Sequence, residues 1–316
     1  MPDDVVLTPP GMWEYLTPGP YPPSILAVLA IVLAVLYLAG AVRLWAQRRR
    51  WPVSRTVCFL LGCLALFVVT GLGVESYGRA QFSVFMFQQL TLMMAIPPLL
   101  VFGSPGTLLL RATPHRGAGG AVLRLAHAGL RCRVARWVLS PVVGVPLYLL
   151  AFYGLYLGNI IDPLLRLPGG HEALEIGFLA SGLLFTIPVL SEDPLPVRMG
   201  YGARAVDLFA ETGLHAFFGV FLMMSPTLMI TAFADSTLQL GIDPLSDQQT
   251  AGGLAWSYGE APSLIMAVYI MHRWFRADTE RAAARDRRAD IDGDPDLDAY
   301  NDYLARLKRR HGPEQS

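Results

Sequence analysis

Three groups of side chains in this sequence have types and spacings that could do chemistry. Met86, Gln89 and Met93 stand at i, i+3 and i+7, with Met94 adjacent, so a helix would carry them on one face. His171 and Glu175 stand at i and i+4, and Asp207, Glu211 and His215 at i, i+4 and i+8. Thioether sulfur is a soft ligand suited to Cu(I), and imidazole suits copper generally. Met86, Met93, His171 and Glu175 therefore read as a copper-ligand set. The plainer reading is that the methionines fill gaps in a core. The Asp207/Glu211/His215 stripe could relay protons or bind a cation, or could cap a helix start, where the dipole favours acidic groups. Glu260, with Tyr258, is a further carboxylate inside an apolar stretch. Such groups are costly at membrane depth and are functional hypotheses by default. Glu175 either faces a polar cavity or reaches toward the surface with His171. Glu260 either faces such a cavity or hydrogen-bonds across helices.

These side chains sit in a chain of 316 residues that is 53% hydrophobic and 16% charged. Soluble domains carry roughly 25% charged residues. The formal net charge is zero, so no basic surface for nucleic acid is implied. Cys58, Cys63 and Cys132 lack metal-ligand spacing and read as small apolar fillers. There is no phosphate-binding glycine loop, no HExxH pair and no nucleophile with a paired base, which argues against an enzyme.

Seven stretches approach the roughly 20 apolar residues needed to cross a bilayer. They cover residues 24–46, 55–75, 82–103, 138–160, 171–191, 209–233 and 252–273. Arginines alternate between their connections. The first carries Arg43 to Arg55 and the third Arg111 to Arg136, and the fifth has Arg198 and Arg204. The second and fourth have only Arg79 and Arg166. The positive-inside rule then gives an all-α, polytopic membrane helix bundle of seven transmembrane helices, with the N-terminus outside and the C-terminus cytosolic. The expected organisation is an extracytoplasmic segment over 1–23, the helix bundle over 24–273 and a charged cytosolic tail over 274–316. In this layout Met86, Gln89, His171, Glu175, Tyr258 and Glu260 fall toward the outer leaflet, and the Asp207 stripe toward the cytosol.

Three stretches, in order, resemble the caa3-type cytochrome c oxidase assembly factor family, often called CtaG. They are Leu92 to Pro105 (LMMAIPPLLVFGSP), Gly177 to Val189 (GFLASGLLFTIPV) and Pro244 to Trp256 (PLSDQQTAGGLAW). The resemblance covers residues 25–280. It implies a bacterial plasma-membrane protein that assembles haem-copper oxidase, by copper delivery or docking from the outer side, with oxidase subunits and the lipid bilayer as partners. The chain departs from the family at its histidines. Where the family has an HMxQH pattern, this chain reads Phe85-Met86-Phe87-Gln88-Gln89. Where the family has two histidines four apart, it has His171 and Glu175. The loop carrying Asp247 and Gln248 is expected either to dock a partner or to turn into the last span. The alternatives to an assembly factor are a small-solute or ion transporter using the buried carboxylates, and a metal-free structural partner of a respiratory complex.

Overall fold

The computed structural model describes residues 10–114, 116–195, 199–292 and 295–310. Arg198 and residues 1–9 of the N-terminal segment lie outside the described residues. All regular elements are helical, and there is no strand among the described residues. The first is α1 (Ile25–Ala46), opened by Ser24, whose hydroxyl accepts the Leu26 N–H. It is followed by α2 (Val53–Gly71), α3 (Gly73–Gly78) and α4 (Phe82–Leu90). A π-turn at Thr91–Ala95 joins α4 to α5 (Ile96–Phe102), after which come α6 (Pro105–Ala112), α7 (Ala118–Arg131) and α8 (Arg133–Val138). Helix α9 (Pro141–Leu149) passes through a second π-turn at Leu150–Gly154 into α10 (Leu155–Leu157). Then follow α11 (Ile161–Leu165), α12 (Gly170–Leu190), α13 (Tyr201–Met223), α14 (Ala234–Gln239), α15 (Pro244–Ser257), α16 (Glu260–Asp292) and α17 (Pro295–Arg310).

Five stretches are long and apolar enough to cross a membrane: Ile25–Ala46, Val53–Gly71, Phe82–Ala112, Gly170–Leu190 and Tyr201–Met223. The most apolar window of Phe82–Ala112 is 83% buried against 28% in α1, so the former is the central stave and the latter a peripheral one. The other two expected spans are interrupted. The stretch expected over 138–160 breaks at its π-turn, four residues after Pro146, and its apolar part is Val142–Leu157. The stretch expected over 252–273 is cut at Tyr258 and Gly259.

Two further boundaries differ from expectation. Helix α2 stops at Gly71 because Leu72 is extended (φ −113°, ψ −164°), which puts Glu75 on the separate helix α3. Helix α13 starts at Tyr201 and ends at Met223, so Asp207, Glu211 and His215 lie from its second turn inward and are not its cap. Met229, expected inside this span, lies beyond it.

Close backbone contacts hold the staves together. A Cβ added at Gly182 of α12 would lie 2.7 Å from the Met93 Cα in the first π-turn. One added at Gly252 of α15 would lie 2.7 Å from the Met223 Cα. Small residues of this kind let membrane helices approach closely. By contacts the chain forms two compact units, residues 1–268 and 269–316. The second consists of the distal part of α16 with α17.

Candidate metal centre

Helix α12 opens after Gly169, which takes a left-handed conformation (φ 78°) that glycine adopts without a Cβ penalty. Its first two turns carry His171 and Glu175 on one face, one helical turn apart. Helix α3 brings Glu75 to the same point. His171 Nε2 is 3.6 Å from Glu75 Oε1 and 3.8 Å from Glu175 Oε1. One ligand atom from each of the three residues lies within 4.8 Å of the others. All three side chains are buried, with Glu75 and Glu175 at 1% exposure. Neither ring nitrogen of His171 has a hydrogen-bond partner in the protein.

The surroundings hold the carboxylates in place. Gln88 of α4 donates from Nε2 to Glu75 Oε2 (3.0 Å), to Glu175 Oε1 (3.4 Å) and to the Val69 carbonyl (2.7 Å). The Ser24 hydroxyl, at the start of α1, donates to Glu175 Oε2 at 2.6 Å. Arg79 pairs with Glu75 at 2.7 Å and with Glu172 at 2.6 Å. Burial opposes ionisation of Glu75. The neighbouring His171 and Glu175 groups and the Arg79 guanidinium outweigh it and hold the Glu75 carboxyl below the usual carboxylate range. Phe85 closes one side, its ring 5.5 Å from the imidazole and 5.8 Å from Phe178. A cavity of about 520 Å³ reaches His171, with Tyr21, Arg79, Arg166, Glu172 and Phe233 among its walls.

Not all of the expected residues meet here. His171 and Glu175 belong to the centre. Gln89 and Met93 contact each other (Nε2 to Sδ 3.8 Å) on another flank of the stave. There Gln89 donates to the Ala151 carbonyl at 3.0 Å and accepts from the Tyr156 hydroxyl. Met86 is fully buried, roughly 100° around the helix from Phe85. Glu211 and His215 are together and buried at 3.1 Å, while Asp207 is only half-buried. Glu260, expected to lie buried within the last span, is exposed at the first position of α16. Asp247 and Gln248, expected in a loop, are buried on α15. The Asp247 carboxylate accepts the Phe82 and Ser83 N–H groups at 2.8 and 3.2 Å and the Gln81 amide at 3.0 Å, capping α4 from another helix. Gln248 accepts the Met229 N–H and donates to the Thr227 carbonyl.

Glu75 is the member of this cluster that sequence reasoning missed. It ends an apolar run and has Arg79 at i+4, which reads as an ordinary surface pair. Its separation from α2 by the extended Leu72 is what turns it inward.

Three curated relatives align along most of the chain. Uncharacterized protein Mb0105 of Mycobacterium bovis and uncharacterized protein MT0111 of Mycobacterium tuberculosis are each 39% identical over 291 residues, 90% of this chain and 44% of theirs. Uncharacterized protein ML1998 of Mycobacterium leprae is 37% identical over 309 residues, 95% of this chain and 46% of its own. The chain thus spans about half the length of the curated relatives it matches. No solved structure matches it. The family described as cytochrome c oxidase caa3 assembly factor matches residues 35–277, which contain α2 to α15 and the whole candidate centre. With the three motifs in order and the match covering most of its length, this chain belongs to the cytochrome c oxidase caa3 assembly factor family.

Proposed function

We infer that this chain assists assembly of a haem-copper oxidase by holding copper at the Glu75–His171–Glu175 centre for transfer to the oxidase. The observation that carries this reading is the convergence of three buried ligand groups on one point, with both nitrogens of His171 free of protein hydrogen bonds. Two carboxylates and one imidazole are harder donors than thioether, so the set fits Cu(II) and not Cu(I). The cavity beside His171 supplies a path for the ion. Met86 and Met93, part of the ligand set suggested by sequence, are left out of this assignment.

The accompanying topology is a multi-pass protein of the bacterial plasma membrane, with residues 24–273 in the bilayer, 1–23 outside and 274–316 cytosolic. The five long apolar helices support it, with the two interrupted stretches as the remaining crossings. The centre then opens to the outer side, since it lies at the start of α12 and before α4. Alkaline phosphatase fused after Gly78 should be active, and fused after Arg50 inactive.

The decisive experiment pairs metal analysis with oxidase composition. Purified protein loaded with Cu(II) should hold close to one equivalent, and the Glu75→Gln/His171→Leu variant close to none. Cells carrying only that variant should make oxidase with depleted copper. Copper-free wild-type protein together with normal oxidase in the variant strain overturns the reading.

A metal-free docking role is the second reading, and one observation favours it. Phe85 stands where the family pattern has histidine and packs on the His171 ring, filling space a ligand would use. Retained co-purification of oxidase subunits with the variant identifies this case. A transporter is less well supported, because Glu260 is exposed and Asp207 half-buried, so neither extends a buried polar path.

A further inference from the structure

A second cluster of donor atoms lies in the middle of the bundle, apart from the centre described above. His215 of α13 is wholly buried, and its two ring nitrogens have different surroundings. Nδ1 is 3.2 Å from the Glu211 main-chain carbonyl and 3.1 Å from Glu211 Oε1, and the Tyr148 hydroxyl donates to that carboxylate oxygen at 2.7 Å. Nε2 has no partner in the protein. It points to Gly259. A Cβ added there would lie 2.8 Å from the Met94 Sδ and closer still to His215 Nε2. The imidazole nitrogen and the thioether of Met94 therefore pack side by side against the backbone of residue 259, an approach that only a glycine permits.

The backbone on both sides of this contact is irregular. Met94 lies in the π-turn Thr91–Ala95, and Gly259 lies in the break between α15 and α16. π-turns recur at functional sites, and irregular backbone at membrane depth is tolerated where it is buried in protein or lines a cavity. Met94 and His215 are each buried, at 2% and 1% exposure. Both lie roughly 20 Å along their helices, counted from Phe82 and Tyr201, which places them well inside the bundle.

We propose that Met94 Sδ and His215 Nε2 form a two-donor site for Cu(I). The Glu211 main-chain carbonyl, with the carboxylate beside it, has the arrangement seen behind metal-bound histidines: it fixes the ring and keeps the proton on Nδ1, leaving Nε2 as the ligand. Soft sulfur with imidazole selects Cu(I) over the divalent ions that suit the Glu75 centre. Binding changes no oxidation state and releases no group. The inference goes beyond the oxidase-assembly reading and does not depend on it.

The test uses full-length protein in detergent, titrated anaerobically with Cu(I) against a chromogenic chelator. One equivalent should bind to the wild type and equally to the Glu75→Gln/His171→Leu variant. Met94→Leu, close in volume and so expected to fold, should weaken binding by more than tenfold, as should His215→Leu. Glu211→Gln leaves the main-chain carbonyl on Nδ1, so it should weaken binding by no more than about tenfold, the low end of the loss for a residue supporting a ligand. Gly259→Ala keeps both donors but its Cβ would collide with both side chains and push them apart, so it should also lower affinity. X-ray absorption should show one sulfur neighbour of copper that disappears in Met94→Leu. Unchanged affinity in Met94→Leu, or a copper spectrum with no sulfur, overturns the proposal. Loss of binding in Glu75→Gln/His171→Leu alone would place Cu(I) at the other centre and also overturn it.

Discussion

Arg79 shows what a single side chain does for the buried carboxylates. It is one-fifth exposed, yet its guanidinium meets Glu75, which is almost wholly enclosed. Removing one partner of a buried pair leaves an uncompensated charge, at a cost of about 3–5 kcal/mol. Arg79→Leu should fall at the lower end of that range, because water reaches the arginine side. The pH dependence follows from Glu75. Its carboxyl sits below its ordinary value of 4.5, so the stability gained from its ionised form is complete above that pH. It is lost as pH falls through the lower folded value. Thermal unfolding in detergent should therefore drop more steeply in acid for the wild type than for Glu75→Gln. Equal acid slopes would mean that Glu75 is not held ionised. Of the centre itself, His171 and Glu175 were legible from their i, i+4 spacing in an apolar run. Glu75 was not, because the backbone turn that separates it from α2 has no proline or other strong breaker to announce it. Met86 and Met93 were grouped with them by periodicity, which places side chains on a face but does not say which neighbour that face meets.

Helices in this protein are positioned by where their backbones touch. Gly219 and Gly252 bring α13 and α15 into backbone contact, each glycine lying 2.8 Å or less from atoms of the opposite main chain once a Cβ is added. No flexible side chain there can move aside. Gly252→Val should force the helices apart and destabilise the bundle by about 1–3 kcal/mol or more. Gly253→Ala, whose Cβ would meet only the Met223 Sδ at 4.0 Å, should be close to neutral. Unfolding temperatures of the two variants read the contrast, and equal values would refute the crossing. The adjacent glycines were visible in the sequence, but which of them faces α13 was not. The prolines likewise announced missing N–H donors at Pro97, Pro98 and Pro146. They did not reveal the π-turns at 91–95, just before Pro97, and at 150–154.

At the scale of the whole molecule, five of the seven apolar runs are helices long and apolar enough to cross a membrane, and hydropathy reported the continuity of the other two poorly. It averages over a window, so the interruption at Tyr258–Gly259 left no mark on the run at 252–273. The helical class and the family were legible because they rest on composition and on ordered motifs, which survive such local breaks. Long-range closure did not show at all, and the Asp247 contact is its clearest case. The first N–H groups of α4 receive their acceptor from a residue 165 positions later in the chain. During synthesis α4 is thus made long before the carboxylate that caps it leaves the ribosome. Until then those donors need another acceptor, such as water, and the nascent bundle stays open. A chain stopped before Pro244 should consequently be inserted but degraded quickly by membrane proteases. Asp247→Asn, which arrives on time with a weaker acceptor, should be made at near-normal levels and lost more slowly. Pulse-chase half-lives would rank the two, and equal lifetimes for the truncated and full chains would show that closure does not wait for α15.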